Sequence, residues 1–138
     1  MTVSLVDSHC HIPMIEDDAV ESILSAAKAN DVIHMLCVSV DLETFPDVLN
    51  LAKKYDCISA SMGIHPNTEM QDEPDVEALL NLAEDPAVIA IGETGLDYFR
   101  SEGDLEWQRN RFRTHIRAAK TINKPLIIHC RDAKDDVI

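Results

Sequence analysis

Long apolar runs are missing from this 138-residue chain, and with them any candidate membrane-spanning segment. Glycine is sparse at four residues, and no GxGxxG loop occurs, which argues against a dinucleotide-binding opening. The four cysteines, Cys10, Cys37, Cys57 and Cys130, form no CxxC pair. Each lies in or beside an apolar run, so they read as buried free thiols and not as a disulfide framework. Basic residues are nearly absent from positions 1–99, with three against 19 acidic ones, whereas residues 100–138 carry nine against six. The whole-chain balance of −13 argues against broad electrostatic binding of a polyanion. Met1–Asp7 has no basic cluster and no long apolar stretch, so no secretory signal is expected and a cytoplasmic location follows. What is present is ordinary for a globular protein: 46% hydrophobic residues and 27% charged ones, enough for a core and against disorder. The chain reads as one domain or a piece of one.

Apolar, β-branched runs occur at Val3–Asp7, Val32–Val40, Cys57–Ile64, Ala87–Glu93 and Pro125–Cys130. Most are nearly continuous instead of alternating, the pattern of strands buried on both faces. Between them, apolar residues recur with helical period: Val20, Ile23, Leu24, Ala27; Val48, Leu51, Ala52, Tyr55; Val76, Leu79, Leu80, Ala83; Leu105, Phe112, Ile116, Ala119. Asp18 stands in capping-box spacing with Glu21, and Thr44 precedes Pro46, both helix-start signals. Successive strand starts lie 29, 25, 30 and 38 residues apart, the spacing of βα units in a parallel sheet. The fold class is α/β.

Polar residues choose between an open sheet and a closed barrel. His9 and His11 follow the first strand, His65 ends the third, Glu93 the fourth and His129 the fifth. Metal-ligating residue types collected at the C-terminal ends of parallel strands point to a TIM-type (β/α)8 barrel, of which about the first five βα units are present. Residues 1–138 then form a single incomplete barrel domain ending at the start of a fifth helix. His9 and His11, two apart on a strand, present both imidazoles to one side. Asp7 shares their parity. Glu93 is delivered by five apolar residues, with Gly92 leaving room for close approach, and its two oxygens can serve two cations. The alternatives are a salt-bridge partner for Glu93 and a hydrogen-bonded core residue for His129.

Four motifs, Asp7-Ser8-His9-Cys10-His11, Gly63-Ile64-His65-Pro66, Gly92-Glu93-Thr94-Gly95-Leu96-Asp97-Tyr98 and His129-Cys130-Arg131-Asp132-Ala133, resemble the TatD family of metal-dependent deoxyribonucleases in the amidohydrolase-like superfamily. The resemblance covers essentially the whole chain and implies a barrel hydrolase with two divalent metals (Mg, Mn or Zn) acting on DNA phosphodiesters, single-stranded or at ends, as an exonuclease. It implies His9 and His11 as ligands of one metal, Glu93 as the shared carboxylate and catalytic residue, and His129 as a ligand of the second. His65 resembles a residue that contacts a substrate phosphate or supports the metal ligands from behind. Asp97, Tyr98 and Arg131 are offered for orienting ligands or contacting substrate, with turn or surface roles as the alternative. The family pattern continues to a sixth-strand His and an eighth-strand Asp.

Two histidines fall outside that pattern. His34, mid-strand, reads as a core residue with a hydrogen-bond partner. His115 lies among the four arginines of the helix at 107–117, which reads as a solvated outer face. Two competing functions keep the layout and change the outcome. One is hydrolysis of an amide, ester or lactone; the other is a non-catalytic remnant that self-associates through its unclosed sheet edge.

Overall fold

The computed structural model describes residues 3–15 and 19–138. Five strands, β1 (Leu5–Cys10), β2 (Val32–Cys37), β3 (Ile58–Met62), β4 (Val88–Asp97) and β5 (Leu126–Arg131), form one sheet in the order β1-β2-β3-β4-β5. Every neighbouring pair is parallel. Sequential order without reversal is the winding of a barrel, since a doubly wound sheet reverses direction at its switch point. The crossovers contain α1 (Val20–Ala29), α2 (Phe45–Lys54), α3 (Val76–Ala83) and α4 (Glu106–Ile122); α5 (Lys134–Val137) follows β5. The result is a curled half-barrel of alternating strands and helices. No helix among the described residues is long and apolar enough to cross a membrane.

Local chemistry explains the boundaries. The helix α2 starts with Pro46 in its first turn, as expected, but Thr44 is itself held by Asp41, whose Oδ1 accepts from Thr44 N–H and Oγ1–H at 2.7 Å each. Asp75 caps α3 by accepting from Ala78 N–H at 2.8 Å. The capping box expected at Asp18 involves a residue outside the described ones; Ala19, which offers no side-chain cap, precedes α1. The long helix α4 stops at Asn123 in the left-handed region, two residues before Pro125.

The core lies between the sheet and its outer helices, where Met35, Cys37, Ile58, Ala60, Met62 and Ile91 join Val48, Leu79 and Ala118. The expectation of strands buried on both faces holds for β3 and, apart from Ile89, for β4, and fails for the two edge strands β1 and β5, neither of which has a buried residue. A parallel strand at the open edge of the arc has a partner on one side only. Ile33, Ile89 and Ile128 are likewise exposed. The thiols also differ from expectation: Cys37 is buried, Cys10 and Cys57 are half-buried, and Cys130, near the open edge, is exposed. His34 has the expected partner, with its Nε2 2.8 Å from Ser59 Oγ, but it is half-buried.

The strand β4 runs four residues past its expected end at Glu93, because Thr94, Gly95, Leu96 and Asp97 pair with Ile128, His129, Cys130 and Arg131 of β5. Gly92 allows the approach: a Cβ there would sit 2.5 Å from the Ile127 carbonyl oxygen. Glu93 and Asp97 are thereby carried by one rigid strand alongside His129.

Candidate metal centre

At the C-terminal ends of β1, β3, β4 and β5 the structure gathers His9, His11, His65, Glu93 and His129. Glu93 sits centrally and is buried, its N–H donating to Ser39 O at 2.9 Å. Its Oε2 lies 3.2 Å from His9 Nε2 and 3.8 Å from His11 Nε2, while its Oε1 lies 3.2 Å from His129 Nδ1. The two imidazole Nε2 atoms of His9 and His11 are 3.2 Å apart. Two groups that could hold a cation therefore share Glu93: His9, His11 and Glu93 on one side, His65, Glu93 and His129 on the other.

Hydrogen-bond direction decides which nitrogens are free. His11 Nδ1 faces the carbonyl of Val38 at 2.9 Å, so Nδ1 carries the proton and the Nε2 lone pair points into the cluster. Asp97 accepts from Asn67 Nδ2 at 2.8 Å, from Arg100 N–H at 3.0 Å and from His129 Nε2–H at 3.0 Å. Burial pushes the Asp97 carboxyl up, but those hydrogen bonds outweigh it and hold the group below the usual carboxylate range. An ionised Asp97 can only accept, so His129 keeps its proton on Nε2 and offers Nδ1 toward Glu93. His65 differs. Asn67 N–H donates to His65 Nδ1 at 3.1 Å, which puts the His65 proton on Nε2, 3.1 Å from His129 Nδ1. With that hydrogen bond kept, His65 is a donor and not a lone-pair ligand, despite lying within the second group. Burial, followed by the neighbouring His129, lowers the His65 pKa and keeps the ring neutral. The donor set of two histidines and a shared carboxylate, with a third histidine beyond, fits divalent cations.

Two further sequence-derived candidates, Tyr98 and Arg131, have partners of their own. Tyr98 donates to Asp136 Oδ2 at 2.7 Å and accepts from Arg109 Nε at 2.9 Å, tying α4 to α5. Arg131 stacks its guanidinium 4.0 Å from the Phe99 ring centroid. Asp7 accepts from His9 N–H at 3.0 Å, fixing the backbone of the strand end.

The largest departure from expectation is α4. His115, read as solvated, is fully buried, as are Gln108 and Arg111. They lie at i, i+3 and i+7, one helical face, turned toward the site loops. Gln108 Oε1 accepts from Asp97 N–H at 2.8 Å. Arg111 NH1 donates to His65 O and Thr68 O at 2.9 and 2.8 Å, and its Nε pairs with Glu73 at 2.9 Å. His115 Nε2 accepts from Ile64 N–H at 3.1 Å while its Nδ1–H donates to Arg111 O at 2.8 Å. This polar stripe holds the backbone on which His65 and Asp97 stand. An amphipathic pattern assigns polar residues to solvent, and nothing in spacing alone distinguishes a polar face that binds carbonyls.

Burial lowers the His115 pKa from 6.5 to about 4. The unfolded chain therefore takes up this proton at higher pH than the folded one. Its contribution is complete above pH 6.5 and is lost as pH falls from there toward 4, an effect on the order of 3 kcal/mol. Urea midpoints measured across that window should fall steeply for the wild type and less for His115→Gln, which does not titrate. Parallel pH profiles for the two proteins would refute this.

A half-barrel with imidazoles and a carboxylate at its C-terminal strand ends is the architecture of a barrel metallohydrolase. The comparisons narrow the class: the family model described as TatD related DNase matches residues 6–138, and the chain belongs to that family. The metal-dependent hydrolase YcfH of Escherichia coli K12 is 37% identical, covering 97% of this chain and 52% of YcfH. The 3'-5' ssDNA/RNA exonuclease TatD of Citrobacter koseri is 33% identical over 82% of this chain and 44% of that protein. Among solved structures, the E. coli K12 TatD homologue YjjV superposes with a TM-score of 0.85 at 29% identity, covering 96% of this chain and 52% of YjjV. The chain spans about half the length of these relatives.

Proposed function

We propose that the chain carries the first half of a divalent-metal-dependent phosphodiesterase site that removes nucleotides from single-stranded DNA or DNA ends. The observation that carries this reading is Glu93, whose two oxygens face two separate sets of imidazoles. His9, His11 and Glu93 would hold one cation, and Glu93 with His129 a second; Mg, Mn and Zn are the candidates. Such cations, when bound, polarise the scissile phosphate and lower the pKa of attacking water. Asp97 keeps His129 in the tautomer that presents Nδ1. His65 keeps an N–H at Nε2, ready to donate to a phosphate oxygen once His129 Nδ1 is engaged elsewhere. Glu93 serves as the catalytic carboxylate by balancing charge between the two sets.

This reading accounts for an acidic protein acting on a polyanion, because the cations supply the local positive charge. The TatD exonuclease name of a relative supports the substrate class. Four unpaired thiols fit a reducing compartment, and the cytoplasm is the proposed location. The exposed Leu5, Val6 and Ile128 support self-association through the open edges, which a monomer in sedimentation would contradict.

The test is nucleotide release from single-stranded DNA by residues 1–138 in Mg, Mn and Zn. Release that disappears with EDTA and in His9→Ala/His11→Ala is the expected result. Equal release by the double variant would remove the histidines from the mechanism, and hydrolysis of an ester or lactone without release from DNA would change the substrate class.

A further inference from the structure

Of the six Phe, Trp and Tyr rings in the sequence, four are buried or half-buried and two are exposed. Both exposed rings, Phe99 at 60% and Trp107 at 42%, lie in or just after the connection from β4 to α4. Each is paired with a guanidinium. Arg131 lies 4.0 Å from the centroid of Phe99, and Arg111 lies 5.0 Å from that of Trp107. Arg111 is locked by Glu73 and by two backbone carbonyls, so the indole has a fixed backing. Pairing with arginine on one face leaves the remaining ring surface flat and accessible.

Trp107 forms part of the wall of a cleft of about 950 Å³, whose other lining residues include Asn67, Met70 and Arg100. That volume lies within the range of small-molecule sites. The cleft begins at the candidate centre: Asn67 lines it and donates to Asp97, which in turn accepts from His129. Its charge pattern is selective. Glu69 and Glu102 on its lining repel a phosphate run, Glu73 and Arg111 are paired with each other, and Arg100 offers one further cation. A ligand with a neutral aromatic body, polar edges and one anionic group per unit meets all of these conditions. A helix of a partner protein would need continuous apolar surface, which Arg100, Ser101 and Glu102 interrupt.

We propose that Trp107 forms a nucleobase-stacking subsite for the strand that enters the candidate metal centre, with Arg100, which lines the same cleft, taking a backbone phosphate. The identification of the strand rests on the phosphodiesterase reading. The stacking itself does not, and the two are separable by experiment. Stacking on exposed aromatics beside a cationic contact is how single strands are held without sequence readout.

Trp107 is the only tryptophan in the chain, so its fluorescence reports on the subsite directly. The probe is tetradeoxyadenylate, titrated at low salt in EDTA, with an abasic tetramer of the same phosphate count as control. Saturable quenching by the first and not by the second is expected. In anisotropy with a labelled tetramer, Trp107→Ala should weaken binding roughly tenfold, whereas Trp107→Phe, which keeps a ring, should bind nearly as the wild type does. Three results overturn the subsite: equal quenching by the abasic tetramer, oligonucleotide binding without quenching, and no binding at all. Quenching without metal-dependent release from DNA retains the subsite and removes the phosphodiesterase reading. Release from DNA without quenching does the reverse.

Discussion

Replacing Glu93 by Gln is expected to weaken divalent-metal binding by this chain by about a hundredfold or more and to abolish metal-dependent hydrolysis, while leaving the fold intact. Substitution of residues that merely orient metal ligands already costs about 10- to 100-fold in affinity. Glu93 stands closer to the chemistry than that. Among the described residues it is the carboxylate common to both candidate groups, with one oxygen 3.2 Å from His9 and the other 3.2 Å from His129. An amide keeps the shape but offers one oxygen and one NH2, and the NH2 cannot ligate a cation. One group thus loses its anionic donor altogether, and the other keeps only a neutral oxygen. The backbone anchor, Glu93 N–H to Ser39 O, does not depend on the side chain, so secondary structure should be unchanged. Calorimetric titration with Mn or Zn, alongside circular dichroism, reads both halves of this expectation. An affinity within threefold of the wild type would show that the imidazoles alone hold the ion.

The legibility of this centre in the sequence follows from its topology. In a parallel β/α arc every strand delivers its last residues to the same rim, so a polar residue ending an apolar run is placed by chain direction alone. His9, Glu93 and His129 are legible for that reason, although they stand on three different strands. Residues whose partners are backbone carbonyls are not legible. Gln108, Arg111 and His115 look like a solvated helix face because the amphipathic argument counts side chains and cannot see the turn at Ile64–Thr68 that they support. Asn67 escaped for a related reason: a loop asparagine carries no periodicity, and its contact with Asp97 exists only once β3 and β4 are adjacent. The length of β4 is not legible because its apolar run stops at Glu93, whereas Gly95 beyond it is a point of contact between strands.

That contact makes Gly95→Ala a strongly destabilising change. Gly95 has φ of +142°, a conformation that side chains rarely adopt, and it pairs with His129. A Cβ added there would overlap the His129 carbonyl oxygen and lie 2.9 Å from the His129 nitrogen. Both obstacles are backbone, so no side-chain rotation relieves them, and β4 and β5 must separate or the residue must change conformation. The backbone term alone costs on the order of 1–3 kcal/mol. Parting the strands adds to it, for a total on the order of 4 kcal/mol, a large fraction of the stability of a small domain. Gly103 supplies the control. Its φ is +81°, but a Cβ there meets nothing within 4 Å, so Gly103→Ala should cost only the backbone part, about 1 kcal/mol. Urea unfolding of the two variants separates conformational cost from steric cost. Because His129 is the residue displaced, Gly95→Ala should also lose metal affinity under conditions where it remains folded, which Gly103→Ala should not. Equal unfolding midpoints for the two variants would mean that β5 yields at His129 without penalty, and the rigid placement of Glu93, Asp97 and His129 on paired strands would then be untenable.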